Sequence, residues 1–126
     1  MGRTIMKITR ESWLKATAKA MSTDQAKELF KSDSEIEPLF TEYAFHLYIK
    51  LKDKTLTESE YRETVINIHT ELLTELRADL TNVLVNIALM IFAVQIWENL
   101  TDQIAQDELN SEYENFKAVL KSQKSE

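Results

Sequence analysis

The hydrophobic positions of this chain step by three and four almost from end to end, a period that predicts helices throughout. The cleanest stripe runs Tyr61, Val65, Ile68, Leu72, Leu76, Leu80 and Val83. A shorter one, Tyr113, Phe116, Val119 and Leu120, lies near the C-terminus. Ile36, Leu39, Phe40, Tyr43, Ala44 and Leu47 make a broad apolar face, with Phe45 and Ile49 behind it. Segment 83–97 differs from all of these, because it is apolar on every side and only Asn86 and Gln95 interrupt it. A helix of that kind needs partners around it, which marks it as the centre of a bundle. Asn86 and Gln95 must then find hydrogen bonds, since an unpaired buried amide costs about 1–3 kcal/mol. A buried amide in such a seam also fixes register or oligomeric state, so both are candidate interface residues.

Helix starts are marked by four sequences that fit the capping box, in which a hydroxyl and a Glu or Gln three residues on exchange hydrogen bonds with the backbone. They begin at Ser22, Ser34, Thr57 and Ser111, and Thr9 is a plain N-cap candidate. Pro38 follows the Ser34 box within one turn, where its missing N–H costs nothing. These signals predict helices near 10–21, 24–31, 35–52, 58–80, 82–108 and 112–121. The expected fold is all-α, a bundle of five to six helices around a central apolar helix at about 83–97. It forms a single domain over 1–126, with 1–8 and 122–126 as flexible ends.

Composition sharpens what the pattern leaves open. The 126 residues include one glycine, one proline and no cysteine, and the glycine is Gly2. Glycine-rich phosphate loops, the dinucleotide fingerprint, the nucleophile elbow and the EF-hand loop are therefore excluded together. Disulfide frameworks, thiolate metal sites and thiol catalysis are excluded with the cysteines. The net charge of −6 is uneven: residues 1–31 carry +4, residues 32–116 carry −12, and the remainder +2. A basic first segment is expected to pack on the chain's own acidic body, and the overall acidity counts against nucleic acid as a partner. A helix-turn-helix over 10–31 would offer DNA only a short, Asp24-led reading helix. No apolar leader segment is present in the first thirty residues, and the cytosol is the expected compartment. The apolar run of about fifteen residues falls short of the roughly twenty a membrane span needs, which disfavours stable membrane insertion.

Two constellations invite chemistry. Glu60 and Glu63 are three apart, and Glu75 and Asp79 are four apart at the edge of the apolar stripe. The run from Glu75 to Leu84, an acid pair followed by an apolar helix, resembles the second half of the motif of all-α nucleotide pyrophosphohydrolases. That family pairs these acids three apart, so the second pair departs from its pattern while Glu60 and Glu63 match the first. The resemblance implies Mg²⁺-dependent nucleotide hydrolysis with Glu60, Glu63, Glu75 and Asp79 as metal ligands. The other reading makes them a solvated acidic face. His69 falls inside the stripe, where a buried neutral imidazole bonded to a neighbouring helix is expected. His46 lies one turn after Glu42, a surface pair.

Trp13 and Trp97 are the remaining candidates, since an indole offers a large apolar face and a donor that anchor either a core or an interface. No serine, lysine or tyrosine stands in a nucleophile context, and no cofactor is expected. The chain reads as a small acidic helical protein, non-enzymatic, acting by protein–protein interaction as a regulator, inhibitor or adaptor. A homo-oligomer is an expected form. Compact cysteine-free proteins of this composition are frequent in phages and mobile elements. A membrane-active bundle that exposes 83–97 is the third reading.

Overall fold

The computed structural model describes residues 5–124, and the fold is all-α. Five helices appear among the described residues: α1 (Arg10–Met21), α2 (Asp24–Ser32), α3 (Ile36–Leu51), α4 (Glu58–Glu75) and α5 (Val83–Lys124). Two three-residue strands, β1 (Ile5–Lys7) and β2 (Thr55–Thr57), form an antiparallel ribbon. Met6 pairs with Leu56, and both point into the core. The pairing runs on past the strands, since Ile8 donates to the Lys54 carbonyl at 2.9 Å and accepts from the Asp53 amide at 2.9 Å. The ribbon ties the start of the chain to the joint between α3 and α4. Residues 5–8, expected as part of a flexible end, are thus folded, with Ile8 wholly buried. The expected polar joint 52–57 is half strand.

The helix starts follow local chemistry where the cap lies next to the first apolar position. Thr9 caps α1 by accepting from the Ser12 amide at 3.3 Å. The Thr57 box forms as expected: Thr57 accepts from the Glu60 amide and Glu60 accepts from the Thr57 amide. Three other starts are corrected. Thr23, not Ser22, caps α2. The α3 start has Glu35 as its cap with no side-chain bond, and Asp33 instead receives the Glu35 amide at 2.9 Å. Ser111 lies inside α5, which runs for 42 residues without a break where two helices were expected. A hydroxyl on an exposed helical turn does not stop a helix when nothing competes for its backbone.

Helix α4 ends at Glu75 and not at residue 80, because Arg77 turns into the left-handed region at φ 57°. Its amide bonds the Thr74 carbonyl at 3.1 Å, and the Ala78 amide bonds the Leu73 carbonyl at 2.9 Å. That double closure is a Schellman end, completed by Ala78 packing on the core. At the other joint, Lys52 (φ −55°, ψ 139°) and Asp53 (φ 64°) make a type II turn, closed by the Lys54 amide on the Leu51 carbonyl at 3.1 Å. Both positions favour glycine, and a chain with none beyond residue 2 fills them with Arg and Asp.

The core gathers on one side of α5. Leu89, Phe92, Ala93, Ile96, Trp97 and Leu100 are buried there. Helices α1, α3 and α4 all pack against α5, most extensively α1. Helix α1 comes close because it presents Ala16 and Ala20, both buried and small enough to admit a neighbouring backbone. Asn99 and Gln103 then reach across to the Ala16 and Ser12 carbonyls at 3.0 and 3.3 Å. Tyr61 stacks on Trp97 with ring centres 4.8 Å apart and donates to the Ala93 carbonyl at 2.6 Å. Phe40 meets Phe92 at 4.8 Å from the α3 side.

Arg77→Gly is expected to stabilise the chain. A non-glycine residue in the left-handed region costs about 1–2 kcal/mol, and glycine returns part of that as unfolded-state entropy. The net gain is about 0.5–1 kcal/mol, a rise of a few degrees in Tm by calorimetry. An unchanged or lower Tm would mean that the Arg77 side chain itself stabilises the joint.

Candidate functional site

The stripe of α4 carries its one buried histidine against two other helices. His69 is 9% exposed. Its Nδ1 meets the Tyr43 hydroxyl of α3 at 3.0 Å, and its Nε2 meets Asn86 Oδ1 of α5 at 3.0 Å. The Asn86 amide nitrogen donates to the Asn82 and Leu80 carbonyls at 2.8 and 3.3 Å, which aims its oxygen at the ring. With that oxygen as acceptor, Nε2 carries the proton and Nδ1 accepts from Tyr43. One polar chain therefore runs from α3 through α4 to the first turn of α5, every member partnered. Asn86, an expected interface residue, fixes the register of three helices within the chain. Burial pushes the Tyr43 phenol well above its ordinary value, and burial does the same to Tyr61.

The two tryptophans are core residues. Trp13 is 2% and Trp97 3% exposed, so neither indole is available to a partner. Trp13 Nε1 donates to the Ala44 carbonyl at 3.0 Å, tying α1 to α3. Their large rings fill the space between helices that the small alanines of α1 leave open. Gln95 is half-buried and lines a groove of about 320 Å³ among α2, α3 and α5 with Phe40 and Phe92. A larger half-open groove, about 500 Å³, runs between α1 and α3 and is lined by Leu14, Phe45, Tyr48, Arg10 and Lys52.

The four acids expected as Mg²⁺ ligands are not brought together. Glu60 is engaged in the cap at the start of α4, whereas Glu75 ends the same helix, about 22 Å away at 1.5 Å per residue. Glu63 lies on the exposed side of α4. Asp79 sits in the joint after α4, where the Thr81 hydroxyl and amide donate to it at 2.6 and 2.9 Å. Those bonds hold its carboxyl below the ordinary value. Glu75 instead meets Lys50 at 3.4 Å and His46 Nδ1 at 3.3 Å, while Glu71 meets Lys50 at 3.2 Å. The hydrogen bond that Lys50 donates to Glu71, and then the one to Glu75, hold its ammonium above the ordinary value. His46 thus pairs across helices with Glu75 and not along α3 with Glu42. Among the described residues no group of three or more metal-binding side chains is gathered.

What sequence reasoning missed is the other side of α5. Val83, Leu84, Ile87 and Ile91 stand exposed, Leu84 at 81%. Further along the helix Leu109, Tyr113, Phe116, Val119 and Leu120 are exposed as well. Leu84 and Leu120 are 36 residues apart, ten turns at 3.6 residues per turn, so both groups fall on one line of α5. Nine of the fifteen large apolar side chains exposed among the described residues belong to this helix. The signal was present in the apolar circumference of 83–97, which does not say which side turns inward. Val83–Gln103, 21 residues with mean hydropathy 1.7, is by length and composition apolar enough to cross a membrane, with a third of it buried inside the fold.

Comparison with protein-family models, with curated proteins and with solved structures gives no match. The class is thus defined by the fold, an all-α bundle closed by a short ribbon, and by the two-sided α5.

His69→Ala and Asn86→Ala are each expected to cost about 1–3 kcal/mol in denaturant unfolding, because each leaves a buried partner unsatisfied. The double variant should cost less than the sum, the sign of one shared network. Strict additivity would show the two bonds to be independent.

A second expectation concerns alkali. Tyr43 and Tyr61 have folded-state values above the unfolded 10.0, so their contribution is full below pH 10 and is lost as pH rises beyond it. Phenolate absorbance should show these two phenols ionising only together with unfolding, read by circular dichroism on the same samples. Smooth titration of all four tyrosines with the helices intact would contradict this.

Proposed function

We propose that this chain works by protein–protein contact, as a regulator, inhibitor or adaptor, and that the outer face of α5 is the surface it offers. The observation that carries this reading is the exposure of Leu84, Ile87 and Ile91 in one row on a helix whose opposite side is the core. Contiguous apolar surface on a soluble fold marks an interaction site. Met90 and Val94, half-buried beside the row, widen it and line a shallow groove with Gln95 and Glu98. Helix-in-groove recognition uses this spacing of anchors. The polar groups support contact over catalysis: His69 is spent on the bundle, and the acids are dispersed among caps, turns and lysine pairs.

Lipid contact is the second reading, favoured by the length and apolarity of Val83–Gln103. Charge opposes it. Residues 78–116 contain no lysine, arginine or histidine, whereas interfacial helices carry basic residues beside their apolar face.

A photo-crosslinking side chain at Ile87 is expected to capture a defined protein in the native cell, while the same group at exposed Glu42 on α3 does not. With the crosslinker kept at position 87, Leu84→Asp with Ile91→Asp should abolish the adduct while changing stability by less than about 1 kcal/mol, since both side chains are already exposed. No adduct above the control, together with binding to anionic vesicles, would replace the protein partner by lipid.

A further inference from the structure

The last third of α5 has no bundle beneath it. Among the described residues the last of the helix in the core is Leu100, and Gln103 makes the last hydrogen bond to another helix, on the Ser12 carbonyl. From Leu109 to Gln123 every residue is exposed. At 1.5 Å per residue α5 is about 63 Å long, more than twice the roughly 27 Å of α4, so its C-terminal part stands clear of the other helices. An isolated helix of under twenty residues is marginal in water, and an exposed apolar stripe on it adds no stability. Yet this segment carries a well-spaced stripe: Leu109, Tyr113, Phe116 and Leu120, at intervals of four, three and four. These are the intervals of a helix-pairing seam.

We propose that the stripe pairs with the same stripe of a second copy of this chain, antiparallel, about a twofold axis between Glu114 and Asn115. The proposal rests on the reading of the protein as a contact-mediated one and names a partner for the part of α5 beyond the bundle. The stripe is self-complementary in that register. Leu109 of one copy faces Leu120 of the other, and Tyr113 faces Phe116, so each layer joins one residue from each end and the aromatics meet at the centre.

Charge selects the direction. Asp107, Glu108, Glu112 and Glu114 give the first half of the segment −4, and Lys117, Lys121 and Lys124 give the second half +3. Parallel pairing lays acid against acid along the first half; antiparallel pairing lays it against the lysines. At the axis, Lys117 bonds Glu114 of its own helix at 3.1 Å and lies over the Tyr113 ring at 4.9 Å. The twofold sets the two Glu114 side chains nearest the axis, each paired with the Lys117 of its own helix on the outer side.

The stripe from Leu109 to Leu120 runs for a little over three helical turns, an area at or below the low end for a specific interface, which makes the dimer a micromolar one. Phe116 and Tyr113, both about 60% exposed in the single chain, are its anchors.

The test uses the full chain and exploits its lack of cysteine. Light scattering or sedimentation across a concentration series should show reversible passage from 14.7 kDa to twice that mass. Phe116→Asp should weaken association roughly a hundredfold while leaving the unfolding transition of the bundle in place. Under mild oxidation, chains bearing Leu109→Cys and chains bearing Leu120→Cys should form a mixed disulfide dimer, and neither should link to itself. Self-linking of each single variant would establish parallel pairing and overturn the assigned geometry. A monomer at all concentrations, or a dimer indifferent to Phe116→Asp, would overturn the proposal. Adduct formation at Ile87 by the Phe116→Asp chain tests the partner surface separately, so loss of one does not carry the other.

Discussion

The constraint from which the structure follows is that α5 is apolar on every side near its start while the described helices pack on only one side of it. Three helices, α1, α3 and α4, cover one side of it at Leu89, Phe92, Ile96 and Leu100. No described helix is left for the other side. Burial of large apolar side chains, each contributing about 1.5–3 kcal/mol, is what the covered side contributes to stability. The uncovered side contributes nothing until something binds it. Core and exposed apolar row are therefore two faces of one element. Side chains on the outer face are not needed to hold the bundle, which leaves them free to be specified by a partner.

Directional interactions decide which side turns inward. Apolar burial has no preference between two equally apolar faces. Hydrogen bonds do: Asn86 engages His69, the Asn99 amide engages Ala16, Gln103 engages Ser12, and the Ala93 carbonyl engages Tyr61. Each of these bonds would be lost if α5 rotated about its axis. A few amides in an apolar helix thus set its rotation, and through that they determine which leucines face solvent. Asn86 makes its hydrogen bonds on the chain's own helices.

Legibility in the sequence followed the range of the interaction responsible. The Thr9 and Thr57 caps, the burial of His69 in the α4 stripe and the all-α class depend on neighbours three or four residues away, and the pattern displays them. The ribbon depends on pairing Ile5–Lys7 with Thr55–Thr57 across fifty residues, and three-residue strands are too short to alternate visibly. The end of α4 at Arg77 escaped for a different reason. Without glycine to mark it, a left-handed residue looks like any other polar position, and the apolar period runs on through Leu80. Both tryptophans were legible as anchors, but whether an anchor faces its own chain or another depends on the small alanines of α1 that bring the helices together.

The acidity of the chain acquires a specific place in this picture. Exposed apolar rows invite indiscriminate association, and soluble proteins suppress that with charge beside the row. On α5 the charges come between and beyond the two rows: Glu98 and Asp102 separate them, and acids alternate with the apolar residues from Asp107 to Glu114. Asp102 is further tied to Lys19 at 4.0 Å, an exposed pair worth little in stability but one that sets basic α1 beside the acidic helix. Separation by like charges keeps the two rows from serving as one continuous sticky surface, since any occupant spanning both would have to desolvate Glu98 and Asp102. The exposed face of the helix is in this way divided into two apolar segments.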